Sequence, residues 1–300
     1  MDDDLRGQAL PGSGPQFRRA AVLGPANAEP ARDAGALWPQ LRQEAEQALA
    51  TAPALARLLA GSILEQTSLE TALFHRISER LKNDTVGQPV LLETFRRAAQ
   101  ADARIGLGLL ADIAAVLERD PAATRLIEPF LYFKGFHALQ VHRLTHWLWS
   151  TGERDLALYL QSRSSELFQT DIHPAARIGR GIFLDHATGL VVGGTAVIED
   201  DVSLLQNVTL GATGKTAGDR HPKVRRGAII GAGAKVLGNI EVGEQARVAA
   251  GSVVLATVPP GTTVAGVPAR PVRTSLPAGS EGSVGQVLQQ LSYQGFDYTI

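Results

Sequence analysis

The sequence predicts an α+β protein: an α-helical N-terminal domain over residues 37–170, then a parallel β-helix of hexapeptide repeats over 171–274. Three observations predict it. Apolar residues fall at every sixth position from Ile172 through Ile178, Leu184, Leu190, Ala196 and Val202 to Val208, and again from Val224 through Ile230, Val236, Val242 and Val248 to Val254. With 44% of residues hydrophobic, thirteen such hits have odds on the order of 10⁻⁵, or ~10⁻³ after the choice of frame. Upstream, apolar residues take helical spacing instead. Between the two runs of sixes, one polar stretch, GATGKTAGDRHPK (211–223), breaks the count.

Residues 1–36 are rich in Gly, Pro, Ala and charge with few large apolar side chains, and read as a disordered extension. From Trp38 the texture changes. Leu41, Ala45 and Ala48, then Leu55, Leu58 and Leu59, are spaced for helices. Thr67-Ser-Leu-Glu70 has the form of a capping box opening a helix that carries Leu73, Phe74 and Ile77. Asn83 to Pro89 reads as a loop, and helices follow over Leu91 to Arg104 and Ile105 to Glu118. Asp120-Pro121 reads as an N-cap with proline at the first helical position. Helices over Phe133 to Trp149 and Glu153 to Phe168 complete the domain.

A rung that turns a corner every six residues has no room for bulk beside the coil above it. The small or acidic residues after the apolar ones (Gly179, Asp185, Gly231, Gly243, Ala249) meet that need, as do Thr188, Ala228, Ala234, Ala246 and Ser252 four places on. Each coil buries its interior only against its neighbours. Val208 to Val224 spans sixteen residues in place of six, so about ten residues within Gly211 to Lys223 leave the prism and return. AGVPARPV (265–272) reads as a last, proline-interrupted rung, and residues 275–300 as a flexible tail.

A net charge of −1 gives no reason to expect nucleic-acid or anionic-membrane partners. The absence of cysteine excludes disulfides, thiolate metal sites and a cysteine nucleophile. The most apolar long stretch, Ile105 to Leu117, is interrupted by Asp112 and is too short to span a bilayer. The acidic start, MDDDL, lacks the features of a signal peptide, so a cytoplasmic location is expected.

Chemistry-bearing side chains gather on the early rungs and on the interruption. Asp171 and His186 are fifteen residues apart, a separation that lets them approach on neighbouring coils. A carboxylate that holds one imidazole tautomer leaves the other nitrogen free as a general base, suited to deprotonating a hydroxyl that attacks an activated acyl group. A bare His-Asp pair equally suits a structural role. Lys215, Asp219, Arg220 and His221 charge the interrupting loop. GATGKT ends like a phosphate-binding loop, but Thr209 stands where that motif requires glycine and no strand-to-helix context surrounds it. His173, His186 and His221 have spacing open to zinc, a reading that gives the Asp and Arg residues beside them no role. His137, His142 and His146 follow helical spacing and read as core.

Five stretches together are more specific than the repeat: RDPA (119–122), YFKGFHALQVHRLTHWLW (132–149), DIHPAARIGRGIFLDHATGLVVG (171–193), GATGKTAGDRHPK and GAGAKVLGNIEVG (231–243). In these the chain resembles the serine O-acetyltransferases of the hexapeptide-repeat acyltransferase superfamily. The resemblance implies a left-handed prism with three hexapeptides per coil, hence roughly four coils. It implies acetyl transfer from acetyl-CoA to the L-serine hydroxyl, giving O-acetylserine for cysteine synthesis without an acyl-enzyme. Carried over residue by residue, His186 is the general base and Asp171 orients it. Asp120 and Asp185 meet the serine ammonium, and Arg220 meets its carboxylate with His221 nearby, charges that match a zwitterion. Acetyl-CoA, a co-substrate with no metal cofactor beside it, runs along the prism between adjacent subunits near Ala212, Ala232 and Ala250, where small side chains admit it to the backbone.

The family further implies a trimer or a dimer of trimers, L-cysteine as a feedback inhibitor, and docking of a C-terminal Ile300 in O-acetylserine sulfhydrylase. Two residues depart from its pattern: Ala212 stands where the family often has glycine, and Gly194 where glutamate is common. Two alternatives remain open, an acetyltransferase for another hydroxyl acceptor such as a sugar, and a protein that chiefly regulates the sulfhydrylase.

Overall fold

The computed structural model describes residues 34–214 and 217–273; the expectations for the N-terminal extension, Lys215 and the tail with Ile300 lie outside the described residues. Its helices are α1 (Ala34–Thr51), α2 (Ala56–Leu59), α3 (Leu69–Leu81), α4 (Gln88–Ala101), α5 (Arg104–Arg119), α6 (Ile127–Leu131), α7 (Lys134–Thr151) and α8 (Arg154–Phe168). One apolar core joins them, with Leu41, Ile63, Ile77, Phe95, Phe130 and Phe168 fully buried and Phe74 stacked on Phe95 at 4.8 Å.

Two helix signals moved. The capping box of α3 sits one residue later than its sequence form suggested: the Ser68 hydroxyl accepts from the Thr71 amide (3.2 Å), and the Thr71 hydroxyl, not Glu70, accepts from the Ser68 amide (3.1 Å). Asp120 is not an N-cap. It ends α5, and its carboxylate accepts the Ala122 amide at 2.9 Å to close a turn before α6.

The strands wind in coils of three. The first coil holds β1 (Thr170–Ile172), β2 (Arg177–Ile178) and β3 (Phe183–Leu184); the second β4 (Leu190–Val192), β5 (Val197–Ile198) and β6 (Ser203–Leu204). The third holds β7 (Thr209–Gly211), β8 (Lys223–Val224) and β9 (Ile229–Ile230), and the fourth β10 (Lys235–Leu237), β11 (Glu241–Val242) and β12 (Arg247–Val248). A fifth follows with β13 (Val253–Val254), a bridge at Val258 and β14 (Thr263–Gly266). Stacking gives three parallel faces: β1-β4-β7-β10-β13, β2-β5-β8-β11 and β3-β6-β9-β12-β14. The solenoid therefore has about five turns rather than four. Its expected last rung is instead the final strand, β15 (Ala269–Arg273), which folds back antiparallel on β14 and occupies its open edge.

All thirteen repeat positions face inward; twelve are buried and Ile178 is partly so. The register nevertheless differs from a simple count of sixes. Ile172 pairs with Val192 and Leu184 with Leu204, twenty residues away, whereas Val192 pairs with Leu210 at eighteen. Each rung has two inward positions, two residues apart, and the count slips from one to the other between Leu184 and Leu190 without meeting a polar residue. The ten extra residues are thus divided: two enlarge the corner between Leu184 and Val192, and eight form the loop between Leu210 and Val224.

A buried ion pair fastens the helices to the first coil. Asp112 of α5 accepts from Arg143 Nη2 (2.6 Å) and Nε (2.9 Å), from Gln140 Nε2 (2.8 Å) and from the Ile182 amide (3.0 Å), while Arg143 also donates to the Gly179 carbonyl (2.8 Å). Burial raises the Asp112 pKa, opposed by Arg143 and these donors. Its use is orientation more than net stability.

Candidate active site

The enlarged corner carries Asp185 and His186. Its backbone closes two successive three-residue turns, Ala187 N to Asp185 O and Thr188 N to His186 O (2.9 Å), with φ of 53° at His186 and 58° at Ala187. Two adjacent non-glycine residues in the left-handed region persist only where surroundings enforce them. Here the first turn of α7 does so. Ala187 is fully buried, the Lys134 ammonium meets the Thr188 hydroxyl, and Gly135 lies so close that an added Cβ would stand 2.2 Å from the Leu184 carbonyl oxygen. The His186 side chain is left 75% exposed, with Nε2 3.9 Å from Asp185 Oδ1.

Asp120 reaches the same corner from the end of α5. Arg119 anchors it, donating to the carbonyls of Gly181 (3.0 Å) and Asp201 (3.1 Å) and to Ser203 Oγ (3.3 Å). Val116, Ala123, Phe183 and Leu205 form a small apolar cluster beneath. The Asp185 pKa is raised, first by burial and further by the Asp120 charge, with His186 and its amide opposing. Two carboxylates beside one imidazole make a place that favours an incoming cation.

The loop side is built on Thr195. Its hydroxyl accepts the amides of Arg220 (3.0 Å) and His221 (3.2 Å) and lies 2.7 Å from His221 Nδ1, which also accepts the Thr195 amide (3.2 Å). The His221 pKa is lowered by burial and then by Arg220 and Lys223, so the neutral ring keeps its proton on Nε2. Lys223 Nζ ties the loop's return to Thr195 O (2.9 Å), Asp219 Oδ1 (2.6 Å) and His221 O (2.8 Å). The His221 ring covers Gly193, and His173 covers Gly194, where any Cβ would crowd them. Neither Thr195 nor Lys223 stood out in the sequence.

The expected site residues fall into two groups. Asp120, Asp185 and His186 share one prism edge, along which Ala232 and Ala250 follow on later coils, the Gly251 amide bonding the Ala232 carbonyl at 2.8 Å. Ala212, Arg220 and His221 occupy the next edge, across the face that carries β1. Within one chain His186 is not brought to His173 and His221, so the zinc trio does not converge. Asp171 lies exposed on the intervening face; its carboxylate accepts from Gln161 Nε2 at 2.5 Å, and among the described residues no hydrogen bond joins it to His186.

Known proteins share this fold. The family described as "Serine acetyltransferase, N-terminal" matches residues 37–141. The serine acetyltransferase of Salmonella typhimurium is 52% identical over 241 residues, which are 80% of this chain and 88% of its own length. A solved serine acetyltransferase from Brucella abortus strain S19, in complex with coenzyme A, is 57% identical with a TM-score of 0.79 and covers 80% of this chain and 96% of its own. Another, solved in complex with cysteine, is 51% identical with a TM-score of 0.77, covering 79% and 98%. Fold, helical domain and overall identity agree: this chain belongs to the serine acetyltransferase family.

Proposed function

We propose that this acyltransferase moves the acetyl group of acetyl-CoA to the hydroxyl of L-serine by direct attack, with His186 as general base and Asp171 as its orienting carboxylate. The observation that carries the reading is the enlarged corner, which exposes His186 beside the paired carboxylates Asp120 and Asp185. The serine ammonium sits between those carboxylates, which leaves its hydroxyl beside the imidazole. His186 takes the hydroxyl proton as the oxygen adds to the thioester carbonyl. The tetrahedral adduct collapses with cleavage of the C–S bond, and the imidazolium returns the proton to the departing sulfur, giving O-acetylserine and CoA.

Arg220 and His221 serve the serine carboxylate from a second subunit, because one chain holds them on a different edge from His186. A trimer, alone or paired into a dimer of trimers, supplies three such composite sites. Acetyl-CoA lies along the edge of Ala232 and Ala250, opposite the partner's loop with Ala212. The coenzyme A complex of a relative at 57% identity supports that co-substrate. L-cysteine presents the same ammonium and carboxylate as serine and competes for them, as the cysteine complex of another relative supports. Docking of Ile300 to the sulfhydrylase belongs to the same reading.

The test is thiol release from acetyl-CoA with L-serine and a panel of sugars and other hydroxyl compounds, each with and without L-cysteine. The expected result is serine-dependent release inhibited competitively by cysteine. Turnover of a sugar without serine-dependent release would overturn the acceptor assignment.

A further inference from the structure

Behind Asp171, a small cavity lies between α7, α8 and β1. His142, Thr145, Gln161, Ser164 and Thr170 line it, and its free volume of about 10 Å³ suits one water. His142 Nδ1 and Thr170 Oγ1 are buried there without hydrogen-bond partners among the described residues; the side chains' residues are 4% and 2% exposed. Burial holds the His142 ring neutral, and with its one ring proton on Nε2 the unpartnered Nδ1 is a lone-pair acceptor that needs a donor. The Thr170 hydroxyl can donate. Gln161 lines the same space and sends its Nε2 the other way, to Asp171.

We propose that this cavity binds one ordered water, which accepts from Thr170 Oγ1 and donates to His142 Nδ1 and Gln161 Oε1, and that Gln161 so held is a positioning residue for Asp171. The water fixes which end of the amide faces the carboxylate. A flipped amide would present oxygen to oxygen and break the hydrogen bond that holds the Asp171 carboxylate. The inference rests on the reading of Asp171 as the orienting carboxylate.

Steady-state kinetics of full-length Gln161→Leu, Thr170→Val and Asp171→Asn, alone and combined, test it. Gln161→Leu is expected to lower kcat about tenfold with the acetyl-CoA KM unchanged, and Thr170→Val about threefold. In the Asp171→Asn background Gln161→Leu should cost nothing more, because the partner it positions has lost its charge. A full tenfold loss in that background, or losses from Gln161→Leu and Thr170→Val that multiply, would overturn the proposal. Unchanged kcat in Asp171→Asn alone would instead sink the orienting-carboxylate reading, and the proposal with it. Gln161→Met, closer in shape, repeats the test if leucine lowers the melting temperature. A crystal structure with density bridging His142 Nδ1 and Thr170 Oγ1 supports the water; a dry cavity contradicts it.

Discussion

One prism edge turns the same corner on successive coils, and only its first turn differs. Leu204 to Leu210, Ile230 to Val236 and Val248 to Val254 each take six residues, with Asn207, Gly233 or Gly251 in the left-handed region at the turn. Leu184 to Val192 takes eight. The regular corners stack on one another through amide-to-carbonyl bonds, and the two later ones present small side chains, Gly231 to Ala234 and Ala249 to Ser252. The enlarged corner presents Asp185 and His186 and is braced from outside by the helical domain. In the proposed function, the solenoid's repeat builds the scaffold and a track for a ligand, while the chemistry is assigned to the place where the repeat is broken and a second domain holds the break in shape.

Among the residues around His186, the largest effect expected from disturbing that contrast is at Asp185. Asp185→Asn should lower kcat/KM for serine about 30- to 100-fold, the loss of a charge-assisted contact worth roughly 2–3 kcal/mol. The sign of its pH dependence follows from its raised pKa. The folded state binds this proton more tightly than the unfolded one, so the ionised carboxylate costs stability above its folded pKa. Asp185→Asn should therefore keep or raise the melting temperature at neutral pH. As pH falls, serine kcat/KM should drop as both Asp185 and the general base His186 take up protons, and in the variant the Asp185 contribution to that fall should be missing.

Next come the two kinds of corner compared directly. Gly135→Ala pushes a methyl into the Leu184 carbonyl and should cost roughly 2–3 kcal/mol of stability together with kcat. Gly227→Ala, at a regular corner of another edge, between β8 and β9, with φ of 66° and its nearest neighbour 3.4 Å from the new Cβ, should cost only about 1 kcal/mol and leave kcat unchanged. Equal effects of the two on kcat would remove the distinction between the corners. Smaller again, Arg119→Met should raise the serine KM about tenfold by loosening Asp120, with the acetyl-CoA KM unmoved; a parallel rise in both would mean that Arg119 serves only the fold.

Much of this was legible in the residues. A strict sixfold count exposed the interior of the solenoid, and the polar break marked the loop. The same count concealed the two-residue enlargement at His186, because both inward positions of a rung tolerate apolar residues and Leu190 fits either register. Asp120 was misread locally: Asp-Pro suits a helix start, but tertiary anchoring by Arg119 makes it a helix end. Thr195 and Gln161 carry no local signal, since their roles come from partners 25, 26 and 10 residues away in sequence. The division of the site between two edges was also hidden, because sequence spacing does not say which corner of a prism a residue occupies.

The most direct test of the account is the serine-dependent rate of thiol release by His186→Ala beside the native protein, with thermal unfolding of both. The account predicts a fall in kcat of at least about 100-fold with an unchanged melting temperature, because this side chain is 75% exposed and carries no packing. A variant that folds normally and retains most of the native kcat would contradict it.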